Sequence, residues 1–216
     1  MHRLTEAIYK YYPINNPDSY EEHEGMKTLK GIIVEKIINI DNPHHPGQKR
    51  INSIINKLKA EFPDLNMDDL SFFEFPGYSI SIDLDDILFG DIICKNSIYI
   101  SISLLVKNFT LYFISDFRFD SVKSIIKNRI PNYQVLFYQA CQNIHSKLII
   151  DKIRDIVSAH FVDYDYIPHH FLFEKIKGGR ALVCLDNSMG DEWDYSYYDF
   201  LFGNNNWRRQ AISILG

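Results

Sequence analysis

The segment 97–117, SIYISISLLVKNFTLYFISDF, decides how we expect this chain to fold. In its first half, Ile98, Ile100 and the next isoleucine alternate with serine or tyrosine, which is the period of a β-strand. Its second half is a run of β-branched and aromatic residues, which favour strands. Lys107 and Asn108 stand between the two halves and predict the turn of a β-hairpin.

A second alternating run precedes this hairpin. In residues 78–86, YSISIDLDD, the apolar residues from Tyr78 to Leu84 alternate with serine and aspartate. Residues 71–119 are therefore predicted to form an antiparallel meander, with one face buried and the other in water. A second hairpin is predicted from HFLFEKI and RALVCLD, which are joined around Gly178 and Gly179.

Apolar residues at helical spacing predict three helices before the sheet and one after the meander. The segment DNPHHPGQ, with two prolines and a glycine, is predicted to be a loop between the second and third helices. The predicted helices cover residues 3–12, about 18–39, a segment around 51–58 that ends before Pro63, and about 134–160.

Together these elements predict a single α+β domain over residues 1–216, in which an antiparallel sheet, made of the meander and the second hairpin, packs against several helices. Residues 1–62 would form a mainly helical lobe. Residues 63–216 would hold the sheet, the long helix and the C-terminal segment. A chain of 216 residues is long enough to bury a core without a metal or a disulfide.

Composition restricts the partners that we expect. The formal net charge of −5 argues against nucleic acid, because phosphate binding needs a positive field. No apolar run approaches the roughly 20 residues of a membrane span, and the N-terminal residues lack the apolar segment of a signal peptide. The cysteines Cys94, Cys141 and Cys184 lie far apart and form no CxxC pair. We therefore expect free thiols and a cytoplasmic protein.

The most unusual stretch is DEWDYSYYDFLFG, residues 191–203, which combines four carboxylates with six aromatic side chains. A helix is favoured here, with Asp191 and Glu192 in its first turn, where carboxylates stabilise the positive end of the helix dipole. Gly203 would then end the helix. The alternative is a strand, but the alternation slips at Tyr198, so a strand would need a bulge.

This stretch carries the predicted partner-binding residues. Five residues are predicted to lie at or near the surface and to contact a basic protein: Tyr195, Tyr198, Glu192, Asp194 and Asp199. By analogy with small acidic intracellular proteins, an inhibitor or immunity-type role would suit such a surface. The competing interpretation is a core helix with ordinary exposed acids.

Two histidine pairs raise the question of a metal site. Adjacent histidines on an extended chain point to opposite sides, so each pair offers one ligand easily. No HExxH or HxH spacing occurs, and we expect loop histidines, no metal and no cofactor. If a metal site existed, we would look for it at His169 or His170 with Asp163, Asp165 or Glu174.

No catalytic fingerprint is present, so the sequence favours a non-catalytic binding protein. The chain has no GxSxG motif, and Gly178-Gly179 lacks the further glycines of a phosphate loop. The alternative is an enzyme or small-ligand binder with an aromatic-lined cleft near residues 163–174. A pocket of several hundred Å³ that brings a histidine and a carboxylate together would favour this alternative. The sequence leaves the oligomeric state open.

Overall fold

A computed structural model describes residues 2–16, 22–72, 75–84, 86–89, 92–119, 133–137, 144–179, 181 and 195–203. These residues form an α+β fold, as predicted, with helices packed on a mostly antiparallel sheet. The described elements are α1 (His2–Tyr11), α2 (Glu24–Ile38), α3 (Pro46–Glu61), β1 (Met67–Asp69), β2 (Gly77–Asp83), β3 (Ile87–Phe89), β4 (Ile92–Ser103), β5 (Asn108–Phe119), β6 (Tyr133–Phe137), α4 (Ile144–His160), β7 (Asp165–Tyr166), a 3₁₀ helix (His169–Phe173), β8 (Lys175–Ile176), β9 (Tyr195–Ser196) and α5 (Tyr197–Phe202).

The β4–β5 hairpin is the centre of the sheet. Its strands pair antiparallel, with Ile100 opposite Leu111, and the turn between them lies at residues 104–107, close to the predicted position. In the described chain, the main path of the sheet runs β1-β2-β4-β5-β6. The short strand β3 also pairs with β4, and β7 pairs with β5 in parallel.

Alternation along the central strands gives the sheet two covered faces. Ile98 and Ile100 face α3 and α4 and belong to a core that contains Ile54 of α3. Tyr112 and Ile114 lie on the opposite face and belong to a core that α1, α2 and α5 complete. The helices of the N-terminal third are therefore divided between the two faces.

The prediction of one wet face is wrong for the middle of the sheet. Ser101 and Ser103 of β4 are 1% and 0% exposed. The hydroxyl of Ser103 donates to the carbonyl oxygen of Leu201 at 2.7 Å, and the hydroxyl of Ser101 is hydrogen-bonded to that of Tyr198 at 3.0 Å. The serines tolerate burial because polar atoms of α5 satisfy their hydrogen bonds.

Several element boundaries differ from the prediction. Residues 133–137 were predicted as the start of the long helix, but they form β6, because they add a strand to the free edge of β5. Helix α4 begins at Ile144. Helix α2 begins at Glu24, later than the predicted start near residue 18. Helices α1 and α3 end before Pro13 and Pro63, as predicted.

The second sheet involves a partner that the sequence did not reveal. Strand β8 pairs with β9, with Lys175 opposite Ser196 and Ile176 opposite Tyr195. Apart from Ala181, the predicted second strand of that hairpin, residues 180–186, lies outside the described residues. No helix in the described ranges is both long enough and apolar enough to cross a bilayer.

Candidate functional site

Helix α5 is shorter than predicted and begins six residues after Asp191, at Tyr197. Ser196 caps it: the Ser196 backbone N–H donates to the carboxylate of Asp199 at 2.7 Å, and the Asp199 N–H donates to the Ser196 hydroxyl at 3.4 Å. This reciprocal pair is a capping box. Gly203 ends the helix with φ of 110°, which agrees with its predicted role.

The predicted partner-binding tyrosines lie inside the protein. Tyr195 and Tyr198 are 4% and 1% exposed, and Asp199 is 7% exposed. The Tyr198 hydroxyl is hydrogen-bonded to those of Ser101 and Tyr112, both at 3.0 Å. The prediction that these three residues lie at the surface is therefore wrong, because their side chains complete the core and cap their own helix.

The other two residues of that predicted surface, Glu192 and Asp194, lie outside the described residues. A contact between them and a basic partner stays a prediction.

The residues considered for a metal do not converge. His169 is 1% exposed, and its ring stacks on that of Tyr112 with the centroids 4.1 Å apart. In contrast, the other candidates, His170, Asp163, Asp165 and Glu174, are exposed. Across the described ranges, no group of three or more histidine, cysteine, aspartate or glutamate side chains could hold a metal ion.

A cavity of about 320 Å³ opens at the end of the sheet where β2 begins, between α2, α3 and the C-terminal end of α4. It combines a histidine and a carboxylate with cationic and aromatic side chains. Its lining residues are Ile32, Glu35, Lys36, His45, Pro46, Gly47, Arg50, Tyr78, Leu104, Phe161 and Tyr164.

Lys36 fixes one wall of this cavity. Its side chain is 3% exposed, and its ammonium donates to the backbone oxygens of Phe75 at 2.9 Å and Gly77 at 3.0 Å. These bonds tie the last turns of α2 to the start of β2. The position of Tyr78, the next residue of β2, relative to α2 therefore depends on a buried cation.

The start of α3 forms the opposite wall. Pro46 is the first helical residue and His45 is the N-cap, but the His45 side chain makes no capping hydrogen bond. Its Nε2 lies 3.6 Å from Oε1 of Glu35 on α2. A Cβ atom at Gly47 would collide with the hydroxyl of Tyr78, so glycine allows the phenol to lie against the first turn of α3.

Tyr78 is the most unusual residue of the cavity. It is 4% exposed, yet its hydroxyl makes no hydrogen bond with any residue that the structure describes. Burial, followed by the Coulombic effects of Tyr164, Glu35 and Asp69, raises the pKa of Tyr78 to about 12. The phenol, like an ordinary tyrosine, keeps its proton at neutral pH and can donate it in a hydrogen bond.

The remaining walls are aromatic and cationic. The rings of Phe161 and Tyr164 pack edge to face with their centroids 4.7 Å apart, and burial raises the pKa of Tyr164. The guanidinium carbon of Arg50 lies 5.5 Å from the centre of the Phe161 ring. Arg50 forms no ion pair with any carboxylate in the described part of the chain.

Sequence reasoning anticipated only part of this cavity. Tyr164 belongs to the predicted aromatic segment 163–174, but His45, Arg50 and Tyr78 were not proposed as site residues. One local signal could have placed His45: a proline directly after it is favoured at the first position of a helix. That signal puts a helix start at the histidine pair, where a loop was predicted.

Comparison with known proteins gives no relative: no family model, no curated protein and no solved structure matches this chain.

Replacing Asp199 by Ala should lower the free energy of unfolding by about 1 kcal/mol, because the capping box of α5 loses its carboxylate. Asp199→Asn keeps an acceptor oxygen and should lower the free energy of unfolding by less than Asp199→Ala does. Urea unfolding followed by circular dichroism measures both variants. Equal stability of the Ala variant and the wild type would contradict a structural role for Asp199.

The raised pKa of Tyr78 predicts a loss of stability at high pH. The unfolded phenol ionises near its ordinary value of 10, whereas the folded one holds its proton to about 12. The folded state therefore binds more protons in this interval, and the free energy of unfolding should fall as the pH rises from 10 to 12. Carbon-13 NMR of the tyrosine Cζ atoms, assigned with Tyr78→Phe, measures the ionisation. A Tyr78 signal that titrates at the ordinary value would contradict the raised pKa and the loss of stability that follows from it.

Proposed function

We propose that the protein binds a small organic molecule in the cavity between α2, α3, β2 and α4. The observation that carries this proposal is the hydroxyl of Tyr78, which lines the cavity without a hydrogen-bond partner among the described residues. Tyr78 is buried as a residue, but its hydroxyl lines the cavity and is therefore accessible to a molecule that fills it. A bound molecule with an acceptor atom would give this hydroxyl a hydrogen bond.

The size and walls of the cavity support the same proposal. A volume of about 320 Å³ lies at the lower end of the range for small-molecule sites, which is roughly 300–1,000 Å³. Ile32, Leu104, Phe161 and Tyr164 supply apolar walls, and a few polar groups lie among them. This combination suits a ligand with one ring and one polar substituent.

Binding is better supported than catalysis. His45 beside Glu35 has the composition of a general base with an orienting carboxylate, but their 3.6 Å separation exceeds a hydrogen bond. The lining residues include no serine, threonine or cysteine that His45 could activate. We therefore assign ligand binding to the cavity and no reaction.

A basic protein partner and a cytoplasmic location both stay predictions. The first rested on five residues of the C-terminal stretch, and the burial of Tyr195, Tyr198 and Asp199 removes their contact area. The cytoplasmic location rested on the spacing of the cysteines, of which Cys94 is buried. Neither prediction contributes to the assignment of the cavity.

Four benzene derivatives that differ in charge test ligand binding: benzoate, phenyl phosphate, benzylamine and benzyl alcohol. Titration of nitrogen-15 labelled protein should shift the amide signals of Gly47, Tyr78 and Tyr164 with at least one of them. Ile32→Trp should abolish these shifts, because the larger ring fills the cavity.

Val34→Trp is the matched control, since Val34 lies on the same helix but is exposed and does not line the cavity. It should leave the shifts unchanged. If none of the four probes shifts the cavity signals at millimolar concentration, or if Ile32→Trp leaves the shifts intact, the proposed function is wrong.

A further inference from the structure

We infer that the ligand of this cavity carries an anionic group, a carboxylate or a phosphate, which lies between Arg50, the hydroxyl of Tyr78 and the first backbone N–H groups of α3. This inference rests on the proposed function and specifies the chemical class of the ligand. Its starting point is a local charge that opposes the negative charge of the whole chain.

Two of the three permanently charged residues that line the cavity are cations. The three residues are the cations Lys36 and Arg50 and the single carboxylate Glu35. Lys36 is held by two backbone carbonyl groups, so its ammonium cannot move far. The Glu35 side chain is 69% exposed, so solvent screens much of its charge, and it lies beside His45.

Arg50 is the cation best placed to meet a ligand. It is exposed, it makes no ion pair within the described ranges, and the Phe161 ring beneath its guanidinium helps to hold it over the cavity. A guanidinium can donate two parallel hydrogen bonds to a carboxylate or a phosphate. The neighbouring cation Lys107, in contrast, is already paired with Asp163 at 2.9 Å.

The first turn of α3 adds hydrogen-bond donors to the same wall. Pro46 has no N–H group, so Gly47 and Gln48 carry the first two N–H groups of this 16-residue helix. The N-terminal end of a helix attracts negative charge because its peptide dipoles are aligned. Gly47 also has no side chain between its backbone and the cavity.

The Tyr78 side chain is independent support, because the residue is 4% exposed and its hydroxyl faces this helix start with no partner in the described chain. A phenol that keeps its proton donates to an anionic oxygen. The nearby carboxylates of Glu35 and Asp69 do not take this role. Asp69 accepts from the Ser71 backbone N–H at 2.8 Å, and Glu35 lies beside His45.

This arrangement gives the bound molecule an orientation. Its anionic group would lie at the start of α3, within reach of Arg50 and Tyr78. Its apolar part would lie against Phe161 and Tyr164, which face the cavity from the end of α4. Carboxylates and phosphates share this recognition chemistry, and the comparison of benzoate with phenyl phosphate separates them.

The test measures dissociation constants of benzoate, phenyl phosphate, benzylamine and benzyl alcohol by NMR titration. At least one of the two anions should bind about tenfold or more tightly than benzyl alcohol, since a hydrogen bond to a charged group is worth about that much. Arg50→Gln should remove this preference. Lys49→Gln is the matched control, because it removes the neighbouring cation of α3, which does not line the cavity, and it should keep the preference.

Tyr78→Phe separates binding from stability. It removes no hydrogen bond to the described residues, so the melting temperature should change little, while binding of the preferred anion should weaken several-fold. Equal binding of benzyl alcohol and the anions, or tightest binding of benzylamine, would overturn the anionic ligand and leave the proposed function standing. Binding of none of the four probes would overturn both. An unchanged preference in Arg50→Gln would also overturn the inference.

Discussion

The register of the β4–β5 hairpin is the constraint on which the rest of this structure depends. Ile100 pairs with Leu111 and Tyr99 with Tyr112, so each pair directs its side chains to one of two opposite faces. A slip of one residue along β5 would exchange its buried residues between the two cores. Both layers of helices are therefore placed by one backbone ladder.

The two faces of the sheet differ in chemistry, and this difference explains why the C-terminal helix α5 packs on one of them. One face is mainly isoleucine and phenylalanine, whereas the other carries buried serines and a threonine beside Tyr112. A buried hydroxyl needs a partner, and α5 supplies the Tyr198 hydroxyl and the Leu201 carbonyl. The aromatic rings near the C-terminus are thus required by the sheet that they cover.

The cavity lies at the end of the sheet where β2 begins. Lys36 ties α2 to the start of β2, and Gly47 lets α3 begin against Tyr78, so both helices meet at one end of the sheet. Tyr78 lies between them, and its hydroxyl lines the cavity without a partner in the described residues. A polar group that faces an apolar cavity can orient a ligand, which is why we propose ligand binding at this end of the sheet.

Some features of this protein were readable from the sequence alone. The alternation around Ile98 and Ile100 predicted a strand, and Lys107 marked the end of the turn that follows it. Helices α1 and α3 end before prolines, and Gly203 ends α5 with a positive φ. These signals are local: a side-chain period, a fixed backbone angle and the freedom of glycine each act within a few residues.

The tertiary structure alone decided which residues are buried and where a site forms. Tyr198 is enclosed because Ser101, 97 residues earlier in the chain, needs its hydroxyl. Residues 133–137 are a strand because β5 offered an edge, although their sequence also suits a helix. The cavity unites Arg50, Tyr78 and Phe161 from three elements. Burial and hydrogen-bond satisfaction depend on distant partners, and no local pattern specifies them.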